Sequence, residues 1–281
     1  MAEHMGWRVG HPLSEPGLQR VALGLEYDGA AYCGWQTQPE RCAVQDRLEF
    51  ALGVIHGGPV RTVTAGRTDA GVHASGQVVH FDALQQRPES AWVRGVNAHL
   101  PAGISVLWAR SVEVGFDARR SALERCYRYI LLNRPVRPAL LAGKVGWIHG
   151  ELDLADMAVG ARYLLGTHDF SAFRAAACQA KTPVREIRAA TVARQGELVV
   201  FEFRANAFLQ HQVRNMVGAL VWVGLKRRPP DWVGELLTSR DRTQAAATFA
   251  PDGLYLAEVK YDAVWGLPES SGMMPTLPLY L

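Results

Sequence analysis

The chain has 281 residues, 48% hydrophobic and 20% charged, with a net charge of +3. That length suits one large domain or two small ones, with enough apolar material to bury a core without staples. No run of about 18 apolar residues marks a membrane span, and the first residues lack the apolar centre of a signal peptide.

Residues 1–19 are expected to form a flexible lead-in. "RVALGLEY" (Arg20 to Tyr27) alternates and predicts a strand. Val44, Leu48, Ala51, Leu52 and Ile55 fall on one helical stripe. Short extended runs follow near Arg61 to Thr64 and Gln77 to Phe81, with a glycine-framed loop between them. A second helix is expected from Glu89 to His99, after Pro88. "ISVLWARSV" places Ile104, Val106 and Trp108 on one face of a strand. The order is β-α-β-β-α-β, the ferredoxin-like arrangement.

The second half repeats that order without repeating its residues. "ERCYRYILLN" (Glu124 to Asn133) alternates. "DLADMAVGARYLLG" reads as a helix capped by Asp153 and closed by Gly166. Strands near Val184 to Val192 and Leu198 to Arg204 are joined by "RQGE". A long helix is expected over Phe208 to Leu225 and a short one over Trp232 to Leu237, before the strand "GLYLAEVKY" (Gly253 to Tyr261). The expected fold is α+β: two ferredoxin-like halves whose sheets join into one largely antiparallel sheet around a cleft. The expected divisions are a domain over 20–132, a linker over 133–143, a domain over 144–264 and an irregular tail over 265–281.

Cys33, Cys42, Cys126 and Cys178 match no zinc spacing and are expected to be free thiols in a reducing cytosol. Basic residues cluster: nine against three acidic from Lys181 to Arg228, and seven against two from Val114 to Lys144. Of the 30 basic residues, 26 are arginine. Such stretches attract a phosphate-rich partner, and arginine grips phosphate with a planar fork; an arginine-favouring genome produces the same bias.

The stretch "TAGRTDAGVHASGQVVHF" (Thr64 to Phe81) sets Gly66, Gly71 and Gly76 five apart around Arg67 and Asp69. A Walker loop would need lysine and a hydroxyl where Val72 and His73 stand, and the spacing fails the dinucleotide fingerprint. The glycines also suit simple tight turns. Asp69 reads as a nucleophile held ionised by a nearby cation, or as half of a loop salt bridge with Arg67. "RCYRYI" puts Tyr127 and Tyr129 on one strand face, either to stack unpaired bases or to fill the core. Arg214 shares a helical row with apolar residues, so it either snorkels to water or meets a carboxylate. His73 and His80 lack metal partners at ligand spacing, His168 and His211 lack a nearby serine or cysteine in a nucleophile setting, and all four read as structural or surface histidines.

Seven segments together resemble the tRNA pseudouridine synthase A family: "AGRTDAGVHASGQVVHF", "EYDGAAYCGWQTQP", "NAHLP", "RCYRYI", "GTHDFSAF", "FLQHQVRNMVG" and "PDGLYLAEVKY". They occur in the family's order and span about Val21 to Tyr261. The resemblance implies isomerisation of uridine to pseudouridine at positions 38, 39 and 40 of the tRNA anticodon stem-loop, without metal or cofactor, by a cytoplasmic homodimer. It implies Asp69 as nucleophile, Tyr127 against the target base and Arg214 paired with the carboxylate. Leu254 would line the base pocket, Arg67 would help extrude the base or hold the backbone, and Arg119 is a further candidate RNA contact. The chain departs from the family's usual residues at Ala43, Asp117 and Gln212, none of them a catalytic position.

Overall fold

A computed structural model describes residues 18–268. The expected lead-in and tail lie outside those residues except at their inner ends. In the first half, β1 (Gln19–Tyr27), α1 (Val44–His56), β2 (Val63–Thr64), β3 (His73–Ala83), α2 (Glu89–Asn97) and β4 (Ile104–Val112) follow the expected order. β3 begins at His73, so the latter part of the glycine-framed stretch is strand. α1 buries Val44, Leu48, Ala51 and Leu52 and ends at Gly57. Ala43 has no side-chain acceptor for the helix start; half a capping box remains, with the Asp46 carboxylate accepting from the Ala43 N–H at 3.0 Å.

The second half runs β5 (Ala122–Asn133), β6 (Gly146–Ile148), α3 (Leu154–Arg162), β7 (Gly166–Asp169), β8 (Val184–Gln195), β9 (Leu198–Ala205), α4 (Gln212–Gly224), α5 (Trp232–Ser239) and β10 (Leu254–Tyr261). Asp153 caps α3, accepting from the Asp156 N–H at 3.0 Å. Three features differ from expectation. β6 and β7 are three and four residues long, too short to show a period. α3 stops before Gly166, because the Leu164 and Leu165 N–H groups bond three residues back and tighten the chain out of the helix. α4 starts at Gln212 instead of Phe208, because His211 takes a left-handed backbone, φ 63°, that no α-helix continues through.

The main path of the sheet is β4-β1-β3-β10-β5-β9-β8-β7, with β2 on β3 and β6 on β5. Its pairs are antiparallel except β5 with β6 and β3 with β10. The β3–β10 pair, Tyr255 against His73 and Leu256 against Ala74, joins the two halves. Along β5, Tyr127, Tyr129 and Leu131 enter the main core, while Ile130 and Leu132 enter a smaller cluster with Val145 and Leu198. This is the period-2 alternation of a strand covered on both faces.

The four cysteines are not all free. Cys33 and Cys42 form a disulfide, and Cys126 and Cys178 are free and buried. The Cys33 N–H donates to the Cys42 carbonyl at 3.2 Å, and the two Cα atoms lie 5.5 Å apart, within reach of a bond. A spacing of nine residues does not announce such a pair, because the intervening turns bring the ends together. Thiol titration of the denatured, unreduced protein is expected to find two thiols, and four after reduction. Closing so short a loop contributes about 2–3 kcal/mol in the chain-entropy account. Four thiols before reduction would refute the pairing.

Candidate active site

The turn between β2 and β3 carries Asp69, and its backbone is held from several sides. The Ala65 N–H donates to the Val78 carbonyl at 2.8 Å, and the Trp35 N–H donates to the Thr68 carbonyl at 3.0 Å. Gln77 Nε2 donates to the Gly66 carbonyl at 2.7 Å, and Tyr27 Oη meets Thr68 Oγ1 at 2.8 Å. Arg125 is buried, and its guanidinium donates to the carbonyls of Ala65, Arg119, Ala122 and Asn206. One cation thus ties the Asp69 turn to β5 and to the end of β9, the kind of preorganisation a reacting group needs.

Two of the three glycines have distinct physical reasons. Gly71 has φ 77°, the left-handed region, and closes the turn in which the Val72 N–H bonds the Asp69 carbonyl at 3.1 Å. Gly76 is not a turn residue. A Cβ there would stand 2.3 Å from the Ala257 carbonyl oxygen, so Gly76 lets β3 and β10 approach.

The Asp69 carboxylate does not pair with Arg67. Its partners come from the start of α4: Arg214 Nη1 lies 3.4 Å from Oδ2, and His211 Nε2 lies 3.5 Å from the same oxygen. Arg214 Nε also donates to the Phe249 carbonyl at 2.8 Å, which fixes the guanidinium plane. Arg214 therefore meets a carboxylate instead of snorkelling. Arg67 is exposed and, among the described residues, makes no hydrogen bond or ion pair.

Of the two β5 tyrosines, only Tyr127 reaches this site. Tyr129 is fully buried and donates to the Ala250 carbonyl at 2.9 Å, so it is a core residue. The Tyr127 ring meets Phe208 edge-on at 5.1 Å between centroids. Burial, then the neighbouring Tyr27 and the Asp69 charge, raise the Tyr127 phenol well above its ordinary pKa. At neutral pH the phenol keeps its proton.

These groups open on a cleft of about 860 Å³ lined by both halves of the chain. All six residues singled out in the sequence, Asp69, Tyr127, Arg214, Arg67, Leu254 and Arg119, line it. Among its lining residues five are arginines and one, Asp69, is acidic. A cation-lined cleft suits a polyanion, and a lone carboxylate at its floor is chemically conspicuous.

Sequence reasoning missed Arg125, Phe208 and His211 as parts of this site. His211 and Phe208 stand in "FLQHQVRNMVG" beside Arg214, and that adjacency was the available signal. His73 and His80 are structural, as expected. His73 Nδ1 accepts from the Gly29 N–H at 3.0 Å, and His80 Nδ1 accepts from the Ala118 N–H at 3.0 Å. Among the described residues no cluster of His, Cys, Asp and Glu is placed to hold a metal.

The chain matches a family model described as tRNA pseudouridine synthase over residues 25–119 and 161–262. It is 55% identical over 258 residues to the tRNA pseudouridine synthase A of Thiobacillus denitrificans, covering 92% of this chain and 99% of that protein. It is 58% identical over 249 residues to the protein of the same name from Methylobacillus flagellatus, covering 89% and 95%. A third, from Nitrosomonas eutropha, is 56% identical over 256 residues, covering 91% and 92%.

Proposed function

The chain belongs to the tRNA pseudouridine synthase family, and from that premise we propose that it isomerises uridine at positions 38, 39 and 40 of the tRNA anticodon stem-loop, with Asp69 as nucleophile. The observation that carries the assignment of Asp69 is its place as the single carboxylate in a cleft lined by five arginines.

The target uridine is stacked in a stem and must be flipped out, at a cost of a few kcal/mol. Phosphate contacts from Arg67 and Arg119 offset that cost, and Tyr127 receives the base as a stacking surface. Leu254 closes the apolar side of the pocket. Asp69 attacks C1′ of the ribose or C6 of the uracil; either route needs an ionised, aimed carboxylate. The glycosidic bond breaks, the base turns and C5 bonds to C1′; the bond to Asp69 breaks and returns its carboxylate, C5 loses its proton and N1 gains one. Atoms balance without redox or hydrolysis, so the scheme calls for no cofactor.

The test is a carbodiimide–primer-extension assay on unmodified tRNA, mapped by nucleotide. Stops at 38 to 40 are expected. Stops elsewhere would overturn the site choice, and release of free uracil would mean hydrolysis instead. Tyr127→Phe is expected to keep tRNA affinity and base stacking but lose about 10²-fold in turnover, since only the hydroxyl is removed. Wild-type turnover in that variant would limit Tyr127 to packing.

The family resemblance also supports a cytoplasmic homodimer whose two copies together cradle tRNA. Among the described residues no helix is long and apolar enough to cross a membrane.

A further inference from the structure

Four non-glycine residues among those described have positive φ: Arg41, His211, Lys226 and Arg240. Three sit where this backbone is common. Arg240 is the C-cap of α5, Lys226 follows the C-cap of α4, and Arg41 ends an exposed turn. His211 does not fit that pattern. It is the N-cap of α4, where extended backbone is the rule, and its side chain makes no capping bond. A left-handed backbone is strained for a non-glycine residue, so it persists only where its surroundings hold it.

Those surroundings are specific. The Gln212 side chain is fully buried, and its Oε1 accepts from the Leu209 N–H at 2.8 Å. The Gln212 N–H in turn donates to the Leu209 carbonyl at 3.1 Å, and the Ala175 N–H donates to the Gln210 carbonyl at 3.0 Å. The turn over 209–212 is therefore pinned from both sides. Its effect is to swing the His211 imidazole off the helix and into the cleft, where Nε2 reaches Asp69 Oδ2 at 3.5 Å. Arg214 Nη1 approaches the same oxygen. Among the described residues no hydrogen bond reaches Oδ1.

We propose that His211 is a positioning residue for the nucleophile: with Arg214 it occupies Oδ2 of Asp69 and so turns Oδ1 toward the substrate. The Arg214 hydrogen bond and the imidazole standing 3.5 Å from the same oxygen restrict the carboxylate's rotation about its χ2 axis from two sides, more than either contact does alone. The left-handed backbone is what brings a side chain three residues ahead of Arg214 onto the same atom. The proposal rests on Asp69 being the nucleophile.

The test separates backbone from imidazole. His211→Gly accepts the left-handed turn and removes the ring, whereas His211→Ala disturbs both. The single-turnover rate of pseudouridine formation in the glycine variant is expected to fall about 10²-fold with tRNA Kd unchanged. Added imidazole is expected to restore much of that rate. A glycine variant at the wild-type rate overturns the proposal. So does a slow one that imidazole does not restore, because the loss would then belong to the turn. If the glycine variant does not fold, His211→Asn, which also tolerates this backbone, replaces it; a slower rate at unchanged affinity is expected, and a wild-type rate overturns the proposal. Asp69→Asn run alongside keeps the two readings apart. Activity in that variant removes the nucleophile assignment itself, whereas an inactive Asp69→Asn beside a wild-type His211→Gly removes only the role of His211.

Discussion

Asp69→Asn is expected to abolish pseudouridine formation, by at least about 10³-fold in single turnover, while tRNA binding survives. Asparagine keeps the shape of the side chain and can still accept from Arg214, so the cleft should keep its form. What it lacks is an ionised oxygen able to form the covalent bond of the proposed mechanism. The cleft then holds five arginines and no carboxylate, so affinity for tRNA should hold or tighten, since the one negative charge facing the phosphates is gone. Folding should change little, because the Asp69 side chain is 27% exposed in the open cleft and its ion pairs are correspondingly screened. Measured turnover near wild type, in protein shown to be free of contaminating synthase, would remove Asp69 from the mechanism.

Arg214→Met should come next in size, with a loss of about 10²- to 10³-fold in turnover. Two contacts go at once: the one to Asp69 Oδ2 at 3.4 Å and the bond to the Phe249 carbonyl at 2.8 Å. The first loss leaves the carboxylate without its permanent cation. The second frees the segment that leads into β10 and Leu254. Because Asp69 is partly exposed, the larger effect falls on rate and the smaller on stability, about 2 kcal/mol for the lost charge-assisted hydrogen bond to Phe249. Arg214→Lys keeps a charge but not the fork, so it can serve Asp69 or Phe249 and not both. Its rate should lie between wild type and the methionine variant. Equal rates for wild type and Arg214→Met would show that Arg214 only braces the loop.

Much of the fold was legible because periodicity is local. Alternation in Val21 to Tyr27 and Glu124 to Asn133, and the helical stripe from Val44, report the type of element without knowledge of what covers each face. The repeated element order then implied two joined α+β halves. β6 and β7 were not legible, being shorter than the window that reveals a period. The start of α4 was misjudged for a related reason. Phe208 to His211 continues an apolar pattern, but the 209–212 turn is imposed by the buried Gln212 amide and by Ala175, a contact between distant segments.

The sequence by itself singled out six residues that the fold gathers along one cleft, while missing Arg125, Phe208 and His211 there. Asp69, Tyr127 and Arg214 stand in motifs whose residue types and order carry the family resemblance, and the clustered arginines announced a phosphate-rich partner. Only the tertiary structure decided how those residues are paired. Asp69 has an arginine two positions away, yet its partner stands 145 residues along the chain. Side chains two apart on an extended run need not meet, whereas the parallel β3–β10 pair and the packing of α4 draw the two halves onto one carboxylate. The same holds for Cys33 with Cys42 and for His211, whose role depends on one left-handed backbone angle. Composition and period are properties of a segment; a contact between segments is a property of the closed fold.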